Sequence, residues 1–343
     1  MKKLLNTLYI TTQGTYLARK GETVVIKVER KLKARFPIHT LSSIVCFGRV
    51  SASPELMRLC GLRRVSLAFL SERGRFFARV QGPVTGNVLL RREQYRRADD
   101  PVSSAGIARA VIIAKIANAR NVVLRAMRDH SPSTSDASLA KAAEDMARTL
   151  QRLRDPIPLD VARGCEGEAA QVYFGCFDHL IVSQKEDFFF RERSRRPPLD
   201  SVNALLSFLY TLVAHDVTSA LEGVGLDPAV GFLHRDRPGR PSLALDLMEE
   251  FRFFLADRLA LSLINRKQIR GKGFTVTESG AVNMDDLTRK ELLVAYQKRK
   301  QEEIHHPFFN EKMPVGLLPH AQAMLLARYF RGELDGYPPF LWR

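Results

Sequence analysis

GFLHRDRPGRPSLALDLMEEFR, residues 231–252, places a histidine, a turn rich in Arg, Gly and Pro, and a cluster of carboxylates in one segment. His234 follows an apolar run, and Asp246, Glu249 and Glu250 follow the turn. If Ser242 caps a helix running over 242–265, Asp246 and Glu249 lie three residues apart on one face and Glu250 turns slightly away. Two carboxylates on one face repel each other unless a cation lies between them. Imidazole together with carboxylate oxygens suits manganese or magnesium. The segment asks for one more ligand.

The chain around it divides by period. After residue 93, apolar residues recur at helical spacing over 105–129, 137–154, 160–184, 202–223, 284–303 and 317–333 as well as 242–265. The polar stretch 131–135 (SPSTS) separates two of these helices. The stretch 185–198 is the longest polar break and carries the run Arg191-Glu192-Arg193-Ser194-Arg195-Arg196, a solvated loop by composition but well suited to phosphates. Before residue 93 the pattern is short and β-branched. Strands are expected at 8–12, 16–18, 23–28, 43–47, 65–70 and 76–80, with Gly14, Gly21 and Gly74 at hairpin turns. Residues 53–60 read as a helix capped by Ser53-Pro54-Glu55. The expected fold class is α+β, with a small basic β-rich domain at 1–93 and a larger helical domain at 94–343.

Of 343 residues, 53 are Lys or Arg and 37 are Asp or Glu, for a formal net charge of +16. Residues 1–93 carry 18 basic against 5 acidic side chains, so +13 of that charge lies in the first quarter. Such a balance argues for a polyanionic partner, nucleic acid or an anionic membrane surface. The longest apolar segment, 202–221, is interrupted by Asn203, His215 and Asp216, which favours a buried core helix over a membrane span. Cys46, Cys60, Cys165 and Cys176 show neither C-x-x-C spacing nor a dense framework, which fits a reducing cytoplasm. The N-terminus lacks the long apolar region of a signal peptide and reads as a first strand.

A candidate for the missing ligand lies in Arg163-Gly164-Cys165-Glu166-Gly167-Glu168. Each glycine costs about 1 kcal/mol relative to alanine inside a helix. Close approach of another backbone or a ligand beside Glu166 is one physical reason for the pair; a helix-start irregularity is the other. Glu168 points roughly 200° around the helix from Glu166. His215-Asp216 reads as part of an apolar core helix, and His305-His306 before Pro307 as a helix end. Arg270-Gly271-Lys272-Gly273 lacks phosphate-loop spacing, so no nucleotide triphosphate is expected.

Gly164-Cys165-Glu166-Gly167, Asn203 with Tyr210, the run GLDPAVGFLH at 225–234 and DLMEEFR at 246–252 together resemble the CRISPR-associated integrase Cas1, the metal-dependent nuclease of the adaptation module. Lys115-Ile116-Ala117-Asn118 and the β-rich first domain extend the likeness over nearly the whole chain. The ending YPPFLWR, 337–343, resembles the subtype I-C branch. The resemblance implies metal ligands at Glu166, His234 and Glu249, with Asp246 as an acidic partner among the catalytic residues; many members carry Asp where Glu249 stands. It implies Tyr210 near the site, while Arg163 and Arg252 are placed to hold phosphates or to pair with neighbouring carboxylates.

The activity then expected is DNA cleavage by water, or insertion of a spacer into a CRISPR array by a DNA 3′-OH, with Mn2+ or Mg2+ as cofactor. The expected partners are DNA, Cas2 and a second copy of the chain docked through the β domain, with no membrane, in a prokaryotic cytoplasm. Two other readings stand beside it: a structure-tolerant metal-dependent nuclease working alone, and a non-catalytic nucleic-acid-binding protein whose carboxylates only pair with Arg163 and Arg252.

Overall fold

A computed structural model describes residues 6–72, 74–82, 87–129 and 136–342. The polar stretch 131–135 and the terminal Arg343 lie outside the described residues. Strands precede helices as the α+β reading expects. The chain forms two compact units.

The first unit holds the described residues before 83 together with Asp286–Ile304 and Met313–Leu317. Its strands are β1 (Thr7–Ile10), β2 (Thr15–Lys20), β3 (Thr23–Val28), β4 (Lys31–Pro37), β5 (Ser43–Phe47), β6 (Val50–Ala52), β7 (Ser66–Leu70) and β8 (Phe76–Val80), with helix α1 (Pro54–Arg63) between β6 and β7. They make two four-stranded sheets, ordered β1-β5-β7-β8 and β4-β3-β2-β6. Ile10, Ile44, Cys46 and Leu67 from one sheet, Leu17, Val24 and Ile26 from the other, and Leu56, Leu59 and Cys60 from α1 share one buried core. Ser53 caps α1 by accepting the Leu56 N–H, with Pro54 at the first turn.

Gly21 and Gly74, at φ +59° and +84°, do turn hairpins, β2 to β3 and β7 to β8. Gly14 does not: β1 and β2 belong to different sheets, so its turn links sheets. Strand β4 went unrecognised because its turn is made by Glu29 and Arg30 at φ +50° and +64°, conformations for which Asn-Gly is the usual signal. Its solvated charges, Lys31, Lys33 and Arg35, mask the alternation.

The second unit holds Asn87–Asp285, His305–Lys312 and the described residues from Leu318 on. Its helices are α2 (Val88–Asp99), α3 (Pro101–Asp129), α4 (Asp136–Arg152), α5 (Leu159–Cys176), α6 (Ser201–Val224), α7 (Ser242–Met248) and α8 (Arg258–Asn265). A small hairpin, β9 (Phe274–Val276) with β10 (Val282–Met284), follows. Helix α9 (Asp286–Gln301), which the sequence assigned to the helical domain, counts with the strand unit, where Lys300 Nζ donates to Thr7 Oγ1. Strands β11 (Glu303–His306) and β12 (Glu311–Pro314) pair, and α10 (Leu318–Phe330) packs on α6. The expected boundary at 93 falls inside α2, whose Gln94 is fully buried and bonds across to 227–230.

Helix α6 is long and apolar enough to cross a membrane by length and composition, but its apolar residues are largely buried inside the unit. His305 and His306 are not a helix end. They lie on β11, where His306 is fully buried, facing Gln322 Oε1 at 3.0 Å and accepting the Phe308 N–H at 3.2 Å. The region 160–184 is helical only to Cys176 before a short 3-10 turn, Phe177–Leu180.

The expected helix over 242–265 is broken into α7, a widened π turn at Arg252–Asp257, and α8. Ser242 is not its cap; its hydroxyl donates to the Arg235 carbonyl, and the Pro228 carbonyl accepts the free N–H groups of Leu243 and Ala244. Such widened turns recur at functional sites. Here two consecutive buried carboxylates, Glu249 and Glu250, must reach different partners.

Candidate metal centre

The turn that carries His234 is built by its neighbours. Gly225, at φ +90°, ends α6 in a left-handed cap. Gln94 of α2 then clamps the following turn, donating to the Asp227 and Val230 carbonyls and accepting the Asp227 N–H. At Gly231 an added Cβ would come within 2.8 Å of Asp246 Oδ2 and of the Ser242 backbone, so only glycine lets the turn settle on α7.

Asp246 is the anchor of that turn. Its Oδ2 accepts the N–H groups of Phe232 and Leu233 at 2.6 and 3.0 Å, and its Oδ1 accepts the His234 N–H at 2.9 Å. The same Oδ1 lies 2.6 Å from His234 Nδ1. An oxygen that already accepts a backbone N–H takes the imidazole proton on Nδ1, which leaves Nε2 as a lone pair. Asp246, three residues before Glu249 in helical backbone, has partners of its own. It is 1% exposed and spends its oxygens on backbone and imidazole.

Glu249 has different partners. Its carboxylate accepts from Arg252 Nη1 at 2.9 and 3.2 Å and meets Lys115 Nζ at 2.9 Å. Burial alone would push the carboxyl up, but Arg252 and Lys115 together overcome it, with a further contribution from His234, and hold it at about 2. Glu166, from α5, meets the same Lys115 ammonium. The cation between two carboxylates is thus a lysine of α3, and the pair it joins is Glu166 with Glu249. Glu166 and His234 keep 26% and 22% of their side chains exposed, whereas Glu249 and Lys115 keep 5%, so the site opens on the Glu166 and His234 side. Among the described residues, no three His, Cys, Asp or Glu side chains converge as a ready ligand set.

The remaining expected residues are placed as follows. Arg163 donates from Nε to the Leu233 carbonyl at 2.9 Å and pairs with Asp160, steadying the turn beside His234. Arg252 is buried against Glu249 and lies 4.4 Å above the Tyr210 ring. The Tyr210 hydroxyl donates to Asp257 Oδ1 at 2.6 Å. Burial pushes the Asp257 carboxyl up to about 6 despite Arg252 and two tyrosine donors. Arg193 of the basic loop lies 5.1 Å from the same ring and bonds Asn203 and Ser207. Glu168 pairs with Arg152 at 2.6 Å, away from Lys115.

No neighbour crowds the glycines beside Glu166. A Cβ at Gly164 or Gly167 would meet nothing within 4 Å. Gly164→Ala is expected to raise stability by up to about 1 kcal/mol through helix propensity alone. Urea denaturation reads the change, and a loss of stability would show that the space is not open.

Sequence reasoning missed Lys115, Gln94 and Asn118 as working parts. Lys115 and Asn118 are polar residues buried in the otherwise apolar α3, and Gln94 is a polar residue buried in the otherwise exposed, charged α2. That mismatch was the available signal, because a buried amide or ammonium persists only where partners await it. Lys115 and Asn118, one turn apart on α3, serve consecutive residues: Lys115 holds Glu249, and Asn118 donates to the Glu250 carbonyl at 2.7 Å.

The family described as CRISPR associated protein Cas1 matches residues 8–298. A relative named CRISPR-associated endonuclease Cas1 1, from Chlorobaculum tepidum, is 57% identical over 343 residues, 100% of both chains. Among solved structures, a casposase bound to integration product superposes with a TM-score of 0.82 at 22% identity, covering 97% of this chain and 93% of that one. A chain of a Cas6-RT-Cas1–Cas2 complex gives a TM-score of 0.82 at 20% identity, covering 98% of this chain and 36% of that one. At those identities the structural likeness is one of fold. The family match and the end-to-end relative go further: the chain belongs to the Cas1 family of CRISPR-associated proteins.

Proposed function

We propose that the chain is a metal-dependent DNA endonuclease and integrase that joins a DNA 3′-OH to a phosphodiester of a CRISPR array, with Glu166, His234 and Glu249 as metal ligands. One observation carries the reading. Two carboxylates from separate elements converge on a single cation, and the imidazole that acts electrostatically on one of them, Glu249, has its Nδ1 tied down by Asp246. Imidazole nitrogen and two carboxylate oxygens form a donor set that suits Mn2+ or Mg2+. Bound there, the cation would polarise a phosphodiester and stabilise the leaving oxygen.

The chain's own residues do the rest. Asp246 holds Nδ1 of His234 and so orients Nε2 as the ring nitrogen that would meet a metal. Arg252 and Lys115 keep Glu249 anionic at every working pH. The basic first unit supplies Lys27, Arg30, Lys31 and Lys33 for the DNA backbone, giving salt-sensitive and sequence-tolerant binding. In the joining step the DNA 3′ oxygen forms the new P–O bond, and the array strand leaves as the opposite 3′-OH. No protein nucleophile is required. We further propose a homodimer acting with Cas2 on DNA in a prokaryotic cytoplasm, and the subtype I-C branch. The relative's name supports the endonuclease part of this reading, the casposase its integration part, and the Cas1–Cas2 neighbour its Cas2 partner.

The Arg252–Glu249 ion pair favours a second reading, in which the carboxylates only balance buried charge. A strand-transfer assay with Mn2+, purified Cas2 and a 3′-OH duplex separates the two. The Glu166→Gln/His234→Ala double variant is expected to yield no Mn2+-dependent product while retaining DNA binding. Product at the wild-type level would leave the carboxylates structural.

A further inference from the structure

We infer that Lys115 is a placeholder for the metal: its ammonium bridges Glu166 and Glu249 in the metal-free chain and is displaced when a divalent cation binds. The inference rests on the proposed metal site and goes beyond it, to what holds that site together when empty and what binding must displace.

Lys115 is 4% exposed on α3 and contacts both carboxylates. The two acids are not equally served. Glu249 has Arg252 as a second cation, fixed by three residues of backbone spacing. Glu166, the more open of the two, meets Lys115 as its charged partner. Without that ammonium the two carboxylates would face each other across a buried gap, and burial makes such repulsion expensive.

Lysine suits a temporary occupant. Its charge is compact and sits on four flexible carbons, whereas a guanidinium would lock both carboxylates in a planar fork. A divalent cation placed between Glu166 Oε1 and Glu249 Oε2, where the ammonium now lies, would press two positive centres together at ligand distances of about 2.1 Å. Binding must therefore swing Lys115 out of the bridge. Part of the metal's gross affinity is spent on that exchange, so the free chain holds its metal less tightly than the bare donor set would.

The test uses MnCl2 and the full-length chain. By isothermal titration, Lys115→Met, close in length and without charge, is expected to bind Mn2+ about tenfold more tightly than wild type. Its thermal midpoint without metal should fall, and the Mn2+-induced rise should exceed that of wild type. Equal or weaker Mn2+ binding by Lys115→Met overturns the inference and leaves the metal site standing. Failure of both chains to bind Mn2+ better than the Glu166→Gln/His234→Ala variant sinks the metal site and the inference with it. A second measurement needs no variant: acetylation of Lys115 in wild type, followed by mass spectrometry, should rise several-fold when Mn2+ is added. Unchanged labelling in a chain that binds Mn2+ also overturns it.

Discussion

Asp246→Asn is expected to lower Mn2+-dependent strand transfer roughly a hundredfold and to cost about 3 kcal/mol of stability, without abolishing Mn2+ binding. The asymmetry follows from which oxygens are used. Four N–H groups point at this one carboxylate: three from the backbone of residues 232–234 and one from the His234 ring. An asparagine offers one oxygen and one NH2 group. If the oxygen replaces Oδ2, the NH2 faces the N–H of His234 and forces the ring to turn or to change its tautomer. If it replaces Oδ1, the Phe232 and Leu233 amides lose their acceptor in a site that is 1% exposed, and the turn loosens. Either way Nε2 is no longer aimed, while Glu166 and Glu249 are untouched. A titration showing Mn2+ affinity lost outright would instead make Asp246 a ligand. Activity and melting temperature equal to wild type would remove its orienting role.

Asp246 also shows where the sequence stopped being readable. The segment 231–252 announces an imidazole and carboxylates, and helix spacing puts Asp246 and Glu249 on one face. The backbone keeps helical geometry as far as Glu249, yet the two acids take different partners: Asp246 holds the 232–234 turn, and Glu249 holds Arg252 and Lys115. No local pattern encodes this. It depends on Lys115 and Asn118 arriving from more than a hundred residues upstream. The helical half was legible because long apolar periods fix helices whatever their partners. In the strand half, β5 and β7 were legible as short apolar runs, while β4 was hidden by exposed charge and a turn without glycine. His234 and Glu166 were found from residue type and from resemblance. The lysine between the acids was visible as a charge out of place on an apolar helix and within the resembling run 115–118, but its two partners were not.

Glu250, next to the site, carries the other large effect. Its carboxylate accepts from the Tyr337 hydroxyl at 2.5 Å, the Phe340 N–H at 2.7 Å and Gln322 Nε2 at 2.9 Å. These bonds fasten the last described residues over Phe251 and Phe254, where Phe340 and Trp342 pack against the rings. Glu250→Ala strands three buried donors and opens a cavity, so a loss of about 4 kcal/mol is expected in urea denaturation. Glutamine behaves differently. Burial pushes the Glu250 carboxyl up to about 7 against the pull of its three donors. Between the ordinary value of 4.5 and about 7, the folded chain keeps a proton that the unfolded chain has released. This group's contribution is therefore full below pH 4.5 and lost as pH rises to about 7, a change of roughly 3 kcal/mol. Glu249, held at about 2, runs the opposite way and loses its contribution only as pH falls below 4.5. Glu250→Gln mimics the protonated acid: its oxygen can take the Phe340 and Gln322 donors, and its NH2 can donate to the Tyr337 oxygen. The variant is expected to melt above wild type at pH 8 and to match it near pH 5. Parallel pH profiles for the two chains would show that Glu250 does not titrate in this window, and that its three donors, rather than its burial, set its charge.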